Sequence, residues 1–343
     1  MDSLTQLVFG ASIGEAVLGK KLGNKAVIWG AAAGSLSDMD VIPGMFMDTP
    51  ERLLFHRGFS HSIVFVVLAT LFFAWLFSKI YKQKPVSRKE WLYYFGLIFA
   101  GSIFLDALTT YGTQLLWPLK YRFEFNTIFV VDPLFTLPLL ITLIWLMFKR
   151  KDSSARKRLS NAGLIIAGSY LLLTMVNKQV INSAFKNALD NQGITYTRML
   201  TNPTPLNQVL WTAVVETDTA YLTGYYSHLD KDKKVNFTSL PKNHHLLDDI
   251  AHDAGVQKIL RFTKGFYTVE PDSAGFKVND LRFGKVTNWK TGEGDFVFQY
   301  NIDLTTKPVT ITQAEQSFEG GTEVLVQLWQ RMSGKREFQP KVQ

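Results

Sequence analysis

The chain has no cysteine. That excludes disulfides and thiolate metal sites, and it leaves either side of a membrane open as a location. Charge is also scarce: Asp, Glu, Lys and Arg make up 19% of the 343 residues, against 47% apolar residues that include 26 phenylalanines. This balance is too apolar for an ordinary soluble enzyme and too polar for a chain lying wholly in lipid. No basic stretch follows Met1-Asp2-Ser3, and the first apolar run has no small-x-small cleavage site, so no cleavable signal peptide is expected. Nor is there a phosphate-cradling glycine loop, a nucleophile elbow, an H-E-x-x-H pair or an internal repeat.

The charge that is present is unevenly placed. Of 37 basic and 29 acidic residues, 19 and 11 fall in residues 1–178, which leaves 18 of each in 179–343. The whole net charge of +8 therefore belongs to the apolar half. Basic runs between apolar spans mark membrane topology, and a neutral second half gives no electrostatic footprint for nucleic acid. We expect a mainly α membrane domain over 1–178 and a small α+β domain over 179–343.

Residues 4–18 and 26–37 read as two short helices, the first with a small-residue face at Gly10 and Gly14 that suits close packing. Four longer apolar runs follow, at about 60–78, 92–117, 127–148 and 160–177, each suited to crossing a bilayer. That makes six helical segments, four of them long enough to span. The loops 79–90 and 149–158 are rich in Lys and Arg, Arg156 included, and are assigned to the cytoplasm with the Lys20-Lys21-Lys25 turn. The N-terminus and the second domain then lie outside. Residues 179–191 read as one more helix leaving the membrane. Strands are expected at 210–216, 220–226, 266–269, 276–283 and 296–302 in one antiparallel sheet, with a turn at 291–295 and helices near 245–261 and 314–332.

The chemistry gathers at Phe55-His56-Arg57-Gly58-Phe59-Ser60-His61-Ser62. On one intact helix a spacing of five would set the two imidazoles about 140° apart. Gly58 breaks the pattern and Ser60 is a good N-cap, so His56 reads as loop and His61 as the first turn of a helix. Both rings can then converge, with Arg57 beside them for an anion. Asp38-Met39-Asp40, read as extended chain, puts two carboxylates on one side. Asp106 lies in an apolar run and needs a cation, either a metal or Arg57 in a structural pair.

On the expected topology Gln6, Asp38, Asp40, His56, His61, Asp106 and Asp132 all reach one level at the outer face. Two imidazoles with carboxylates suit zinc, manganese or iron, and such sets activate water for hydrolysis. Thr109 and Thr110 are candidates to support Asp106, and Tyr111 and Arg122 to anchor a substrate. Asp132-Pro133 reads first as a helix cap. Glu15 lies too deep to join the cluster and reads as an ion pair or buried hydrogen bond. His244-His245 reads as a solvated pair.

These motifs together resemble the YdjM family of bacterial membrane proteins, described as metal-dependent hydrolases. The matching pieces are Met1-Asp2-Ser3-Leu4-Thr5-Gln6, Asp38-Met39-Asp40, the His56–Ser62 stretch, Asp106–Thr113 and Asp132-Pro133-Leu134. Val278–Gly284 is similar to the longer members that carry a C-terminal domain. The resemblance covers residues 1 to about 150. It implies a multi-pass protein of the bacterial inner membrane and, by distant similarity to zinc phospholipases C and zinc nucleases, phosphodiester or phospholipid chemistry. Many relatives carry His where this chain has Gln6, a poor ligand, which implies fewer metals or an altered site.

The resulting expectation is a membrane-bound hydrolase acting on lipid at the outer interface. Asp38, Asp40, His56, His61 and Asp106 would hold a divalent metal, zinc before manganese. Asp40 would take the proton of a bound water, and Arg57 would neutralise an anionic group. The alternative is a non-catalytic sensor, scaffold or lipid-binding protein in which the polar cluster only holds short helices together. A transporter is a third option, against which stands the absence of a repeat in the helical half.

Overall fold

The computed structural model describes residues 1–287, 294–306, 308–315 and 321–336. They divide into two compact units. The first comprises Met1–Met45, Phe55–Val176 and Pro205–Asn207; the second comprises Phe46–Leu54, Asn177–Thr204 and Gln208–Gln343.

The first unit is helical. Helix α1 (Ser3–Leu22) starts at Asp2, whose carboxylate caps Thr5 N, and α2 (Asn24–Gly34) follows after Gly23 at φ 59°. The two pack antiparallel with almost no space between backbones. A Cβ on Gly10 would sit 2.3 Å from Gly30 O, and one on Gly34 would sit 2.3 Å from Gln6 O. Only glycine permits that approach. It is also what brings Gln6 to the end of α2, where the carboxylate turn begins.

A 3₁₀ turn at Ser37–Asp40 and the short α3 (Val41–Gly44) come next. The short α4 (Thr49–Phe55) leads to a second 3₁₀ turn, Phe59–His61, and then to α5 (Ile63–Ile80), capped by Ser62. Ser62, not Ser60, is the cap, and His61 precedes the helix instead of opening it. Helix α6 (Arg88–Ala107) begins with a Ser87–Glu90 capping box. The α5–α6 interface is an aromatic stack in which Phe77 lies 5.1 Å from Trp91 and 5.0 Å from Phe95 between ring centroids. The outer face of α5 is apolar and exposed at Val67, Leu68, Leu71, Phe72 and Trp75, an i, i+4 stripe suited to lipid.

Helix α7 (Pro133–Met147) starts at Asp132, and α8 runs unbroken from Ser154 to Asn191. Among the described residues two helices are long and apolar enough to cross a bilayer, α5 and α8; α7 is apolar but has 15 residues. Two expected spans are shorter as helix than as apolar run. The run 92–117 leaves the helix at Ala107, and the run 127–148 enters one only at Pro133. Between them Thr113 and Phe123 pair their backbones in both directions at 2.9 Å, so an apolar composition there serves a folded connector. The separate helix expected at 179–191 is the end of α8.

In the second unit two four-stranded antiparallel meanders replace the single sheet expected. One runs β1 (Arg198–Pro203), β2 (Leu210–Glu216), β3 (Ala220–Ser227), β4 (Phe237–Pro241); the other runs β5 (Tyr267–Asp272), β6 (Gly275–Thr287), β7 (Gly294–Asp303), β8 (Thr310–Gln313). Strands β1, β4 and β8 were not expected, because Asn202-Pro203, Thr238-Ser239 and Thr310–Gln313 lack apolar alternation. The helix expected at 245–261 is broken at His252-Asp253, where Asp253 caps α9 (Ala254–Phe262) after a 3₁₀ turn at His244–Ile250. Of the turn expected at 291–295, Thr291 to Glu293 lie outside the described residues, as do 316–320 of the last helix; α10 covers Gly321–Met332.

Candidate metal centre

Asp38 and Asp40 sit on a 3₁₀ turn, not on extended chain. Residues two apart on such a turn diverge by about 120°. The two carboxylates therefore take different partners, and both partners come from the 56–61 stretch.

Asp40 is buried and fully engaged. Its Oδ1 meets His56 Nδ1 at 2.8 Å, and its Oδ2 accepts from Arg57 N at 3.0 Å and Ser60 Oγ at 2.5 Å. The Arg57 bond needs that residue at φ 58°, a left-handed conformation that arginine rarely adopts. Burial would raise the Asp40 pKa, but the His56 and His61 hydrogen bonds outweigh it and hold the carboxyl well below the usual range.

His61 is the fully buried hub. Its Nδ1 lies 2.9 Å from Ser60 Oγ and 3.4 Å from Asp40 Oδ2. Its Nε2 lies 3.1 Å from Asp38 Oδ1 and 3.3 Å from Asp106 Oδ2. A hydroxyl has one hydrogen, and Ser60 donates it to Asp40, so toward His61 it accepts. Nδ1 therefore keeps its hydrogen, and the neutral ring carries its lone pair on Nε2. Two carboxylate oxygens facing that nitrogen require a cation there, either a proton or a metal. Burial lowers the His61 pKa, but hydrogen bonds to Asp106, Asp38 and Asp40 outweigh it and push it up to about 10.

Asp106 is buried from every side. Oδ1 meets Arg57 Nη2 at 2.9 Å and the Met1 nitrogen; Oδ2 accepts from Gln6 Nε2 at 2.8 Å beside His61. Arg57 Nη1 turns to Thr109 Oγ1 at 2.8 Å, and that hydroxyl donates to the Asp106 carbonyl. Thr109 thus supports the arginine and the backbone, not the carboxylate, and Thr110 next to it in the chain is half-buried. Arg57 itself is 4% exposed and bound to Asp106, which corrects its expected place as an open anion anchor.

Asp38, His61 and Asp106 offer ligand atoms that all lie within 4.8 Å of one another. Ligands about 2.0–2.2 Å from a tetrahedral zinc-sized ion stand about 3.3–3.6 Å apart. Of the two His61 Nε2 separations, 3.3 Å to Asp106 meets that edge and 3.1 Å to Asp38 falls slightly short of it. Gln6 Oε1 is buried without a hydrogen-bond partner among the described residues, a further lone pair beside the set. The donor set of one imidazole and two carboxylates fits a divalent ion. Asp40 and His56 pair with each other next to this triad.

The remaining expected residues divide. Tyr111 is half-buried; its ring lies 5.0 Å from the His56 ring and 5.2 and 5.7 Å from the Arg57 and Arg122 guanidinium carbons. Arg122 is buried, donating to the His56 carbonyl at 2.9 Å. Asp132 stands apart as a cap, accepting from Leu134 N at 3.0 Å and from Tyr170 Oη at 2.8 Å. Glu15 pairs with Arg156 at 2.7 Å, which removes Arg156 from the free positive charge of its loop. His244 is stacked on Tyr267 at 3.9 Å instead of being solvated, whereas His245 is exposed. Ser60 fixes the His61 tautomer, a role beyond the cap that its sequence suggests and one to which its place between the two histidines points.

A helical unit with lipid-suited faces and a buried His–carboxylate cluster defines a membrane protein with a candidate metal centre. A family described as YdjM inner membrane protein matches residues 1–181, more than half of the chain, and the chain belongs to that family. No curated protein and no solved structure matches it. The match places the protein in the inner membrane and leaves a further domain beyond it.

Proposed function

We propose that this is a membrane-bound, metal-dependent hydrolase whose centre opens at the outer membrane–water interface. The reading rests on one observation: the ligand atoms of Asp38, His61 and Asp106 meet around a ring nitrogen whose tautomer is already fixed. A bound divalent ion, zinc by donor set, supplies Lewis acidity and a water of lowered pKa. Asp40 orients His61 and His56 and is no longer the base. His56, with 24% of its side chain exposed and Asp40 on its Nδ1, is the group beside the triad that can exchange a proton with solvent. Arg57 keeps Asp106 ionised and in place.

The substrate class we propose is a phosphodiester, with a membrane phospholipid first. Helices α6 and α7 would join α5 and α8 as spans, with the loops 79–90 and 149–158 inside and the second domain outside. Elemental analysis of the detergent-purified protein beside its His61→Ala variant, with folding followed by circular dichroism, tests the centre. One ion per chain, lost in a folded variant, leads to a phosphodiester and phospholipid screen. A folded wild type that takes up neither zinc nor manganese overturns the reading.

A non-catalytic membrane protein is the second reading. It is favoured by how completely Arg57, Gln6 and His61 already surround Asp106. On that reading His61→Ala unfolds the helical unit instead of silencing a folded one.

A further inference from the structure

The chain that joins the two halves of the centre is held by the other unit. Met45 ends the stretch bearing Asp38 and Asp40, Phe46–Leu54 belongs to the β-rich unit, and Phe55 returns one residue before His56. Within that unit the excursion is anchored. It forms most of α4 (Thr49–Phe55), started by Asp48, which accepts from Glu51 N at 3.0 Å. Pro50 and Leu53 are buried, Leu53 to 4% exposure. Pro50 Cγ would lie 3.7 Å from a Cβ on Gly255, in the first turn of α9, and Lys258 three residues on donates to Glu51. Gly255 and Lys258 share a face of α9, while Val256, Ile259 and Phe262 are buried. Helix α4 thus touches α9 at two points, Pro50 beside Gly255 and Glu51 on Lys258.

We infer that α4 is a positioning element for the metal centre. This rests on the metal reading above. Asp38 and Asp40 come from one side of the excursion and His56 and His61 from the other, so the seating on α9 restrains how the two turns meet. A connector free between Asp40 and His56 loses closure entropy each time the turns converge; for about 15 residues that is a penalty of up to about 60-fold. The second domain therefore contributes to metal affinity without supplying a ligand. Pro50, Glu51 and Leu53 are positioning residues, with Gly255 and Lys258 as their seat.

The test uses the full chain in detergent with zinc alone as probe. Glu51→Lys breaks an exposed pair and is expected to weaken zinc binding about two- to fivefold, the range of such pairs. Adding Lys258→Glu restores it, which a nonspecific charge effect does not do. Leu53→Ala weakens binding further. Amide hydrogen exchange at residues 56–62 gives a second readout that needs no metal: it rises in Glu51→Lys and falls back in the double variant. If exchange rises across 49–55 in both single variants while 56–62 is unchanged, the inference is wrong. If the wild type binds no zinc, the metal reading fails, and the exchange result still decides whether α4 positions the histidines.

Discussion

Asp280 and Asp230 in the β-rich unit are each gripped by a bidentate guanidinium, whereas Asp106 in the helical unit meets a mixed set of donors. Arg282 reaches Asp280 at 3.0 and 2.7 Å, and Arg331 reaches Asp230 at 2.8 and 3.1 Å, both as closed forks with no exposed side-chain surface. Glu15 and Arg156 repeat the arrangement at the other end of α1. Each is a bidentate carboxylate–guanidinium contact, Asp230 having Arg336 at 3.8 Å as well, and they fasten elements together. Around Asp106 three carboxylates stand near Arg57 and the Met1 nitrogen, and the arginine meets the Asp106 carboxylate through Nη2. The gathering of Asp38 and Asp106 oxygens on one nitrogen of a buried imidazole, in place of a closed fork, distinguishes a candidate cation site from a staple.

Asparagine substitutions break the comparison most sharply. Asp280→Asn leaves Arg282 charged and buried, and is expected to cost about 3–5 kcal/mol of stability with metal content unchanged. Asp38→Asn should do the reverse. Its carboxylate is partly exposed and, among the described residues, pairs with His61, so metal content falls to near zero in a protein that still folds. Chemical denaturation and elemental analysis of both variants read the two effects. Loss of metal in both variants, or in neither, removes the distinction.

Ser60→Ala sharpens it at the next level. No ligand is lost, but the hydroxyl that fixes the His61 tautomer disappears. Outer-shell losses of this kind cost about 10–100-fold in metal affinity. Equilibrium dialysis with zinc should show that drop, and Ser60→Thr, which keeps the hydroxyl, should recover much of it. An unchanged affinity in Ser60→Ala means that Asp40 alone orients the ring.

Much of the centre was legible because the relevant residues are few and misplaced for an apolar chain. Asp106 in an apolar run, two histidines around Gly58 and two aspartates one residue apart each demanded a partner, and an antiparallel hairpin of the first two helices implied the level of Gln6. What was not legible was the division of labour. Whether Asp40 or Asp38 faces His61 Nε2 depends on a 3₁₀ turn that no periodicity announces. The fate of Arg57 depends on a left-handed backbone, and only the fold pairs Arg156 of a basic loop with Glu15, 141 residues away in the chain. In the second unit, strands with alternating apolar residues were evident, but β1, β4 and β8 form because neighbours supply the ladder. The split into two sheets lies in pairing, which composition does not encode.

The smallest expected effect concerns protons. In the metal-free protein His61 is charged and held by its carboxylates, with a folded pKa raised to about 10 from an ordinary 6.5. A raised pKa contributes stability that is full below the unfolded value and is lost as pH climbs through the folded one. Metal-free protein should therefore lose stability steadily from about pH 6.5 to about pH 10. A metal on Nε2 takes the place of that proton, so binding below pH 10 should release one proton from His61 and flatten the slope. Thermal unfolding of metal-free and zinc-loaded protein across that window, with proton release followed in a weak buffer, checks both halves. The staples give the internal control. Asp280–Arg282 has no histidine, so a Ser60→Ala or Asp38→Asn variant should change the slope, whereas Asp280→Asn should lower the whole curve and leave its slope as it was.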